Sequence, residues 1–143
     1  MKKIAVLLLP IALVSFFAGT VFSQQRVDGQ TLPFSPARAA GNTLYVSGQI
    51  GVTPDGDPVR GSVADETRQC MENLGRALKD HGYDFGNVVR VTVYLADMKD
   101  YNEMNAAYRE FFPDGNFPAR ACVGGLQIAF GLNTEISCVA YKE

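Results

Sequence analysis

The chain has 143 residues, with 13 Lys and Arg against 15 Asp and Glu, a net charge of −2 and a pI near 5.4. That length suits one domain rather than two. The acidic balance argues against a nucleic-acid surface, where cationic contacts to phosphate normally supply most of the binding.

Lys2 and Lys3 precede an almost unbroken apolar run from Ile4 to Phe17, and Val21-Phe22-Ser23 sets compact residues ahead of Gln24. This is the pattern of a secretory signal peptide over residues 1–23. The run is shorter than the roughly 20 apolar residues of a spanning helix, which makes a retained membrane anchor the weaker alternative. No cysteine follows it to carry a lipid. Cleavage leaves residues 24–143 as one exported domain, periplasmic or secreted and free of the membrane, and loss of the two lysines takes its charge to −4. Three cysteines, Cys70, Cys122 and Cys138, cannot all pair within such a chain. Their spacing fits no zinc motif, a single histidine supplies no His-rich site, and no metal is expected.

After a polar lead-in, Pro33 to Ala37 is extended, because each proline biases its predecessor away from helix. Gly41-Asn42 predicts a turn and Thr43 to Ser47 a strand. The segment from Thr53 to Gly61, with its Asp55-Gly56-Asp57-Pro58 cluster, reads as a surface loop. Ser62, with Asp65 three residues on, opens a helix. Val63, Cys70, Met71, Leu74, Ala77, Leu78 and His81 recur on it at helical spacing, and Gly82 stops it. Asn87 to Leu95 alternates as a strand, with Val89, Val91, Val93 and Leu95 on one side. Asp97 to Phe112 predicts a second helix with Met98, Tyr101, Met104, Ala107, Tyr108 and Phe111 in a stripe. Arg120 to Ile128 and Thr134 to Tyr141 read as a closing hairpin. Elements in this order suggest an α+β sandwich with both helices on one sheet face. The other face, carrying Arg90, Thr92 and Tyr94, is left for water or for copies of the same chain.

The chemistry gathers in Phe117-Pro118-Ala119-Arg120-Ala121-Cys122-Val123 and in Thr134-Glu135-Ile136-Ser137. Alternation assigns Arg120, Cys122, Glu135 and Ser137 to the face away from the helices, with Ala121 and Val123 towards them. Cys122 and Cys138 then point apart, which argues against a disulfide between them. Arg120 and Glu135 read either as an edge salt bridge or as a ligand site, the guanidinium fork taking a carboxylate and Glu135 handling a water or proton. Cys122 reads as a lining residue sooner than a nucleophile, since no base is in evidence to activate it. Phe34 is an apolar plug or a pocket wall, His81 suits a helix C-terminus, and Asn105 reads as a hydrogen-bonding fixer.

Ser47-Gly48-Gln49-Ile50, Asn105 to Phe112, Phe117 to Val123 and Glu135-Ile136 together resemble the RidA (YjgF) family, over about residues 31 to 142. The resemblance implies a chorismate-mutase-like α+β fold assembled as a homotrimer around a central β-barrel, with sites in the clefts between subunits. It further implies hydrolysis of reactive 2-imino and enamine acids to 2-keto acids and ammonia without a cofactor. On this chain Arg120 would bind the substrate carboxylate, Glu135 would position or activate the water, and Cys122 would line the pocket. A binding protein that holds small carboxylates without turnover is the alternative. The ribonuclease and translation-inhibitor roles described for some members are less suited to an acidic chain. The chain departs from the family pattern at Phe34, where many deaminating members have tyrosine, at Ser137 in place of a second glutamate, and at Ile128-Ala129 in place of Leu-Pro. Gly124-Gly125 also loosens the preceding strand. Phe34 bears on substrate range.

Overall fold

In a computed structural model of the chain, residues 33–143 are described in full, together with the backbone of 26–27 and 30–31. The expected signal peptide, residues 1–23, lies outside the described residues. Two short strands, β1 (Arg26–Val27) and β2 (Gln30–Thr31), pair antiparallel. The rest is a five-stranded sheet of β3 (Ala37–Ala40), β4 (Thr43–Ile50), β5 (Val88–Leu95), β6 (Ala119–Val123) and β7 (Thr134–Tyr141), in the order β3-β4-β7-β5-β6. Helices α1 (Val63–Asp80) and α2 (Tyr101–Arg109) pack on each other and share one core with the sheet. The α+β architecture is the one expected. No helix among the described residues is long and apolar enough to cross a membrane.

Local chemistry explains the elements that the sequence outlines. The Ser62 hydroxyl accepts from the Asp65 amide at 3.1 Å and the Asp65 carboxylate accepts back from Ser62, a reciprocal cap that starts α1. The same Ser62 hydrogen bonds hold the Asp65 carboxyl below its ordinary pKa. Gly82 takes a φ of +75°, and the Tyr83 amide closes back on the Leu78 carbonyl at 2.9 Å, which ends the helix. Cys70, Met71, Leu74 and Leu78 are buried on its inner stripe. Along β7, Ile136, Cys138 and Ala140 face the core while Glu135, Ser137 and Val139 face away.

The structure corrects several expectations. β6 and β7 do not form a hairpin. β5 lies between them, parallel to β6 and antiparallel to β7. β6 also ends at Val123, because Gly124 and Gly125 (φ +82°) turn the chain across the end of β5, where the Leu126 amide donates to the Leu95 carbonyl. Register reverses the face assigned to Arg120. It pairs with Val91, and Cys122 with Val93, and both valines are core residues that also pair with Cys138 and Ile136. Arg120 and Cys122 therefore lie on the helix side, with Ala121 and Val123 on the open side beside Thr92 and Tyr94. Cys122 and Cys138 share a face after all, and β5 between their strands keeps them apart; all three cysteines are free. A bulge early in β5 buries Val88 and leaves Val89 exposed, against the simple alternation. The second helix starts as a 3-10 turn (Met98–Asp100), so that Met98 and Tyr101 of the expected stripe are exposed while Met104, Ala107 and Tyr108 are buried.

Candidate functional site

Arg120 is on edge strand β6, and its guanidinium is held by one face of α2. Nη2 donates to Asn105 Oδ1 at 2.6 Å and to the Tyr101 hydroxyl at 3.4 Å, and the Met104 sulfur lies 4.0 Å from Nη1. The Tyr108 ring packs beneath the guanidinium at 4.8 Å, in cation-π range. Residues 101, 104, 105 and 108 are the i, i+3, i+4 and i+7 positions of a helix, so a single face supplies all four groups. Among the described residues no carboxylate lies within ion-pair distance of Arg120. Tyr108 is 3% exposed, and its hydroxyl is buried without a hydrogen-bond partner among the described residues. Burial raises its pKa to about 12, against a smaller opposing effect of Arg120.

Glu135 is on the other side of the sheet. It pairs with Tyr94 on β5 and Ile50 on β4, and it lines an open pocket with Gly48, Tyr94, Ser137 and the 126–128 segment. Gly48 leaves the space that the Glu135 carboxylate fills, since a Cβ at that position would meet Glu135 Oε1 and displace that side chain. The strand before it is tied to the Pro33–Pro36 segment: the Ser47 hydroxyl donates to the Ser35 carbonyl at 2.6 Å, and the Ser47 amide to the Pro36 carbonyl at 2.9 Å. Phe34, 48% exposed, belongs to that segment. Glu66, buried on α1, secures the approach to β7 by accepting from the Asn133 amide at 2.6 Å and from its side chain at 2.8 Å.

Within one chain, then, the expected residues form two groups. Arg120 and Cys122 are on the helix face with α2, whereas Glu135 lines the pocket beside Gly48, and the segment carrying Phe34 is tied to the neighbouring Ser47. Arg120 and Glu135 are three residues apart along β5 and two strands apart across it. At roughly 3.3 Å per residue and 4.8 Å per strand, their Cα atoms are about 14 Å apart. An Arg120–Glu135 salt bridge is ruled out within one chain. Cys122 is half-buried against the core. Burial pushes its thiol pKa up and Arg120 draws it down less strongly, so the thiol is not activated. Burial raises Cys138 to about 12 and lifts Cys70 further still. His81 caps α1 with its Nδ1 2.8 Å from the Ala77 carbonyl oxygen, and Asn105 is the fixer of Arg120. Tyr101, Tyr108, Gly48 and Tyr94 were not singled out as site residues from the sequence. The helical spacing around Asn105, a lone amide in an apolar stripe, was the signal for the two helix tyrosines.

The fold and its two clusters define a small α+β protein with, among the described residues, an arginine that has no carboxylate partner on one sheet face and a glutamate pocket on the other. A family model described as Endoribonuclease L-PSP matches residues 25–142. The human protein named 2-iminobutanoate/2-iminopropanoate deaminase is 43% identical over 123 residues, covering 85% of this chain and 89% of the relative. The structure of the E. coli YjgF gene product superposes with a TM-score of 0.73 at 32% identity, over 78% of this chain and 89% of that one. E. coli TdcF, solved with bound serine, gives a TM-score of 0.76 at 27% identity, over 85% and 98%. The chain belongs to the endoribonuclease L-PSP family, that of the RidA (YjgF) proteins.

Proposed function

We propose that the protein hydrolyses reactive 2-imino and enamine acids to 2-keto acids and ammonia, in clefts between the subunits of a homotrimer. The observation that carries this reading is the Arg120 guanidinium. It is oriented by Asn105 and the Tyr108 ring and has no carboxylate partner among the described residues. A preset, unpaired fork suits an anionic ligand, and a carboxylate fits it with two parallel hydrogen bonds.

With the carboxylate on Arg120, the electrophilic imine carbon lies next to the anchor. Glu135 accepts a proton from water as the oxygen attacks that carbon. That proton passes to the nitrogen to give a carbinolamine. Glu135 then takes the carbinolamine hydroxyl proton and delivers it to the nitrogen as the C–N bond breaks, releasing ammonia and the keto acid. Orientation and one proton handler supply the acceleration, and the reaction needs no cofactor. Since Arg120 and Glu135 are on opposite faces about 14 Å apart by strand spacing, a single small substrate meets both only if two subunits contribute. One subunit brings Arg120 with Cys122 in the wall, and the next brings Glu135 with Phe34. The uncovered face carrying Arg90, Thr92 and Tyr94 supports assembly through a central barrel. The net charge of −2 favours this over a ribonuclease reading. Export through residues 1–23 belongs to the same proposal, and mass spectrometry of the exported protein tests it by an N-terminus near Gln24.

A second reading, a carboxylate-binding protein without turnover, draws support from the serine bound in the TdcF structure. Semicarbazide-trapped turnover of imino acids generated by an amino-acid oxidase separates the two. The proposal expects wild type to outpace buffer and Arg120→Ala to fall to the buffer rate. Binding of a keto acid through Arg120 without any rate advantage would establish the binding reading instead.

A further inference from the structure

Two tyrosines flank Arg120, and they differ in what they offer. Tyr108 presents its ring face to the guanidinium and is 3% exposed. Tyr101 is 36% exposed and turns its hydroxyl to the guanidinium, with its ring centroid farther off at 5.8 Å. The Tyr101 oxygen accepts from Nη2, so its own O–H remains free to donate.

We propose that Tyr101 is a second carboxylate-binding residue, donating its phenol proton to the ligand carboxylate that Arg120 holds. This rests on Arg120 being the carboxylate anchor. The two hydrogen bonds of Nη2 are unequal: 2.6 Å to Asn105 and 3.4 Å to Tyr101. The long one is the easier to exchange. When a carboxylate oxygen takes that N–H, the Tyr101 hydroxyl is already within reach of the arriving group. An ionised carboxylate has about four lone-pair positions, and an arginine fork fills two of them. A phenol donor at the mouth of the site fills a third, and it favours a carboxylate over an uncharged amide because hydrogen bonds to ionised acceptors are the stronger ones.

The experiment is calorimetric titration of 2-oxobutanoate, and of its amide, into the full-length protein. Wild type, Tyr101→Phe and Arg120→Ala are compared, with circular dichroism as the check on folding. The expected result is keto-acid binding by wild type, loss of it in Arg120→Ala, and about tenfold weaker binding in Tyr101→Phe. The amide is held equally by wild type and Tyr101→Phe. In turnover, Tyr101→Phe raises KM by a similar factor and leaves kcat unchanged. Wild-type affinity in Tyr101→Phe, with binding still lost in Arg120→Ala, overturns this inference and leaves the anchor intact. A fall in kcat and melting temperature at constant KM also overturns it, since that marks a structural role. Keto-acid binding that is absent from wild type, or unaffected by Arg120→Ala, removes the anchor and Tyr101 with it.

Discussion

Glu135 carries its Oε1 into the space that a side chain at Gly48 would occupy. The glycine of the Ser47-Gly48-Gln49-Ile50 stretch is therefore part of how the glutamate is aimed. Gly48→Ala is expected to push Glu135 aside while the chain still folds. A displacement of about 1 Å at a reacting group lowers rate by about a hundredfold. Trapped-keto-acid kinetics read the loss, and a thermal melt close to wild type shows that it is local.

Two inactive variants should rescue one another. If Arg120 comes from one subunit and Glu135 from the next, Arg120→Ala and Glu135→Ala chains assembled together form some clefts with both residues intact. Random mixing in a cyclic trimer restores about a quarter of the sites. Activity in the co-assembled mixture, against none in either variant alone, is the expected readout. A mixture as inactive as its components, with mixed trimers verified by mass, would refute the inter-subunit arrangement.

Cys122 should be dispensable for chemistry. Burial raises its thiol pKa, with Arg120 opposing only in part, so the group stays protonated at neutral pH. Cys122→Ser is expected to keep kcat within about threefold of wild type, since it removes no nucleophile. Alkylation of Cys122 at pH 7 should be slow and should speed up as pH rises.

Glu66 is expected to matter for stability more than its place on a helix suggests. It is 3% exposed and accepts both Asn133 hydrogen bonds. Glu66→Ala leaves the Asn133 donors without that acceptor and opens space under the entry to β7. The cost should be about 2–4 kcal/mol, measured by urea unfolding. Glu66→Gln keeps one acceptor oxygen and should lose less.

The clamp between the helices should weaken in acid. Arg68 donates to both oxygens of Glu110 at 2.9 Å, and this hydrogen bonding holds the Glu110 carboxyl below its ordinary 4.5. A lowered folded pKa means stability that is present above 4.5 and lost as pH falls through the folded value. Glu110→Gln should therefore lower the melting temperature slightly at pH 7 and not at all well below the folded value. The pair is exposed, so the effect is small.

Elements with strong local signals were legible without the fold. The Ser62–Asp65 cap, the stripe from Val63 to Leu78 and the Gly82 stop outline α1 to within a residue or two. The alternation of Ile136, Cys138 and Ala140 likewise identifies the buried side of β7. Arg120 itself stood out as a cation beside a stiff Phe117-Pro118 approach. Its face did not. Ala119, Ala121 and Val123 are apolar yet exposed, while Arg120 and Cys122 are the more buried, so the polarity of β6 points the wrong way.

The sequence by itself determined where most of the helices and strands lie, and it marked the candidate residues for chemistry, because hydrogen-bonding caps and hydrophobic periodicity act over a few residues. Only the tertiary structure decided that β5 separates β6 from β7, and hence that Arg120 and Glu135 occupy opposite faces. Strand order and register come from pairing between distant segments, and one residue of register moves a side chain to the other side of the sheet.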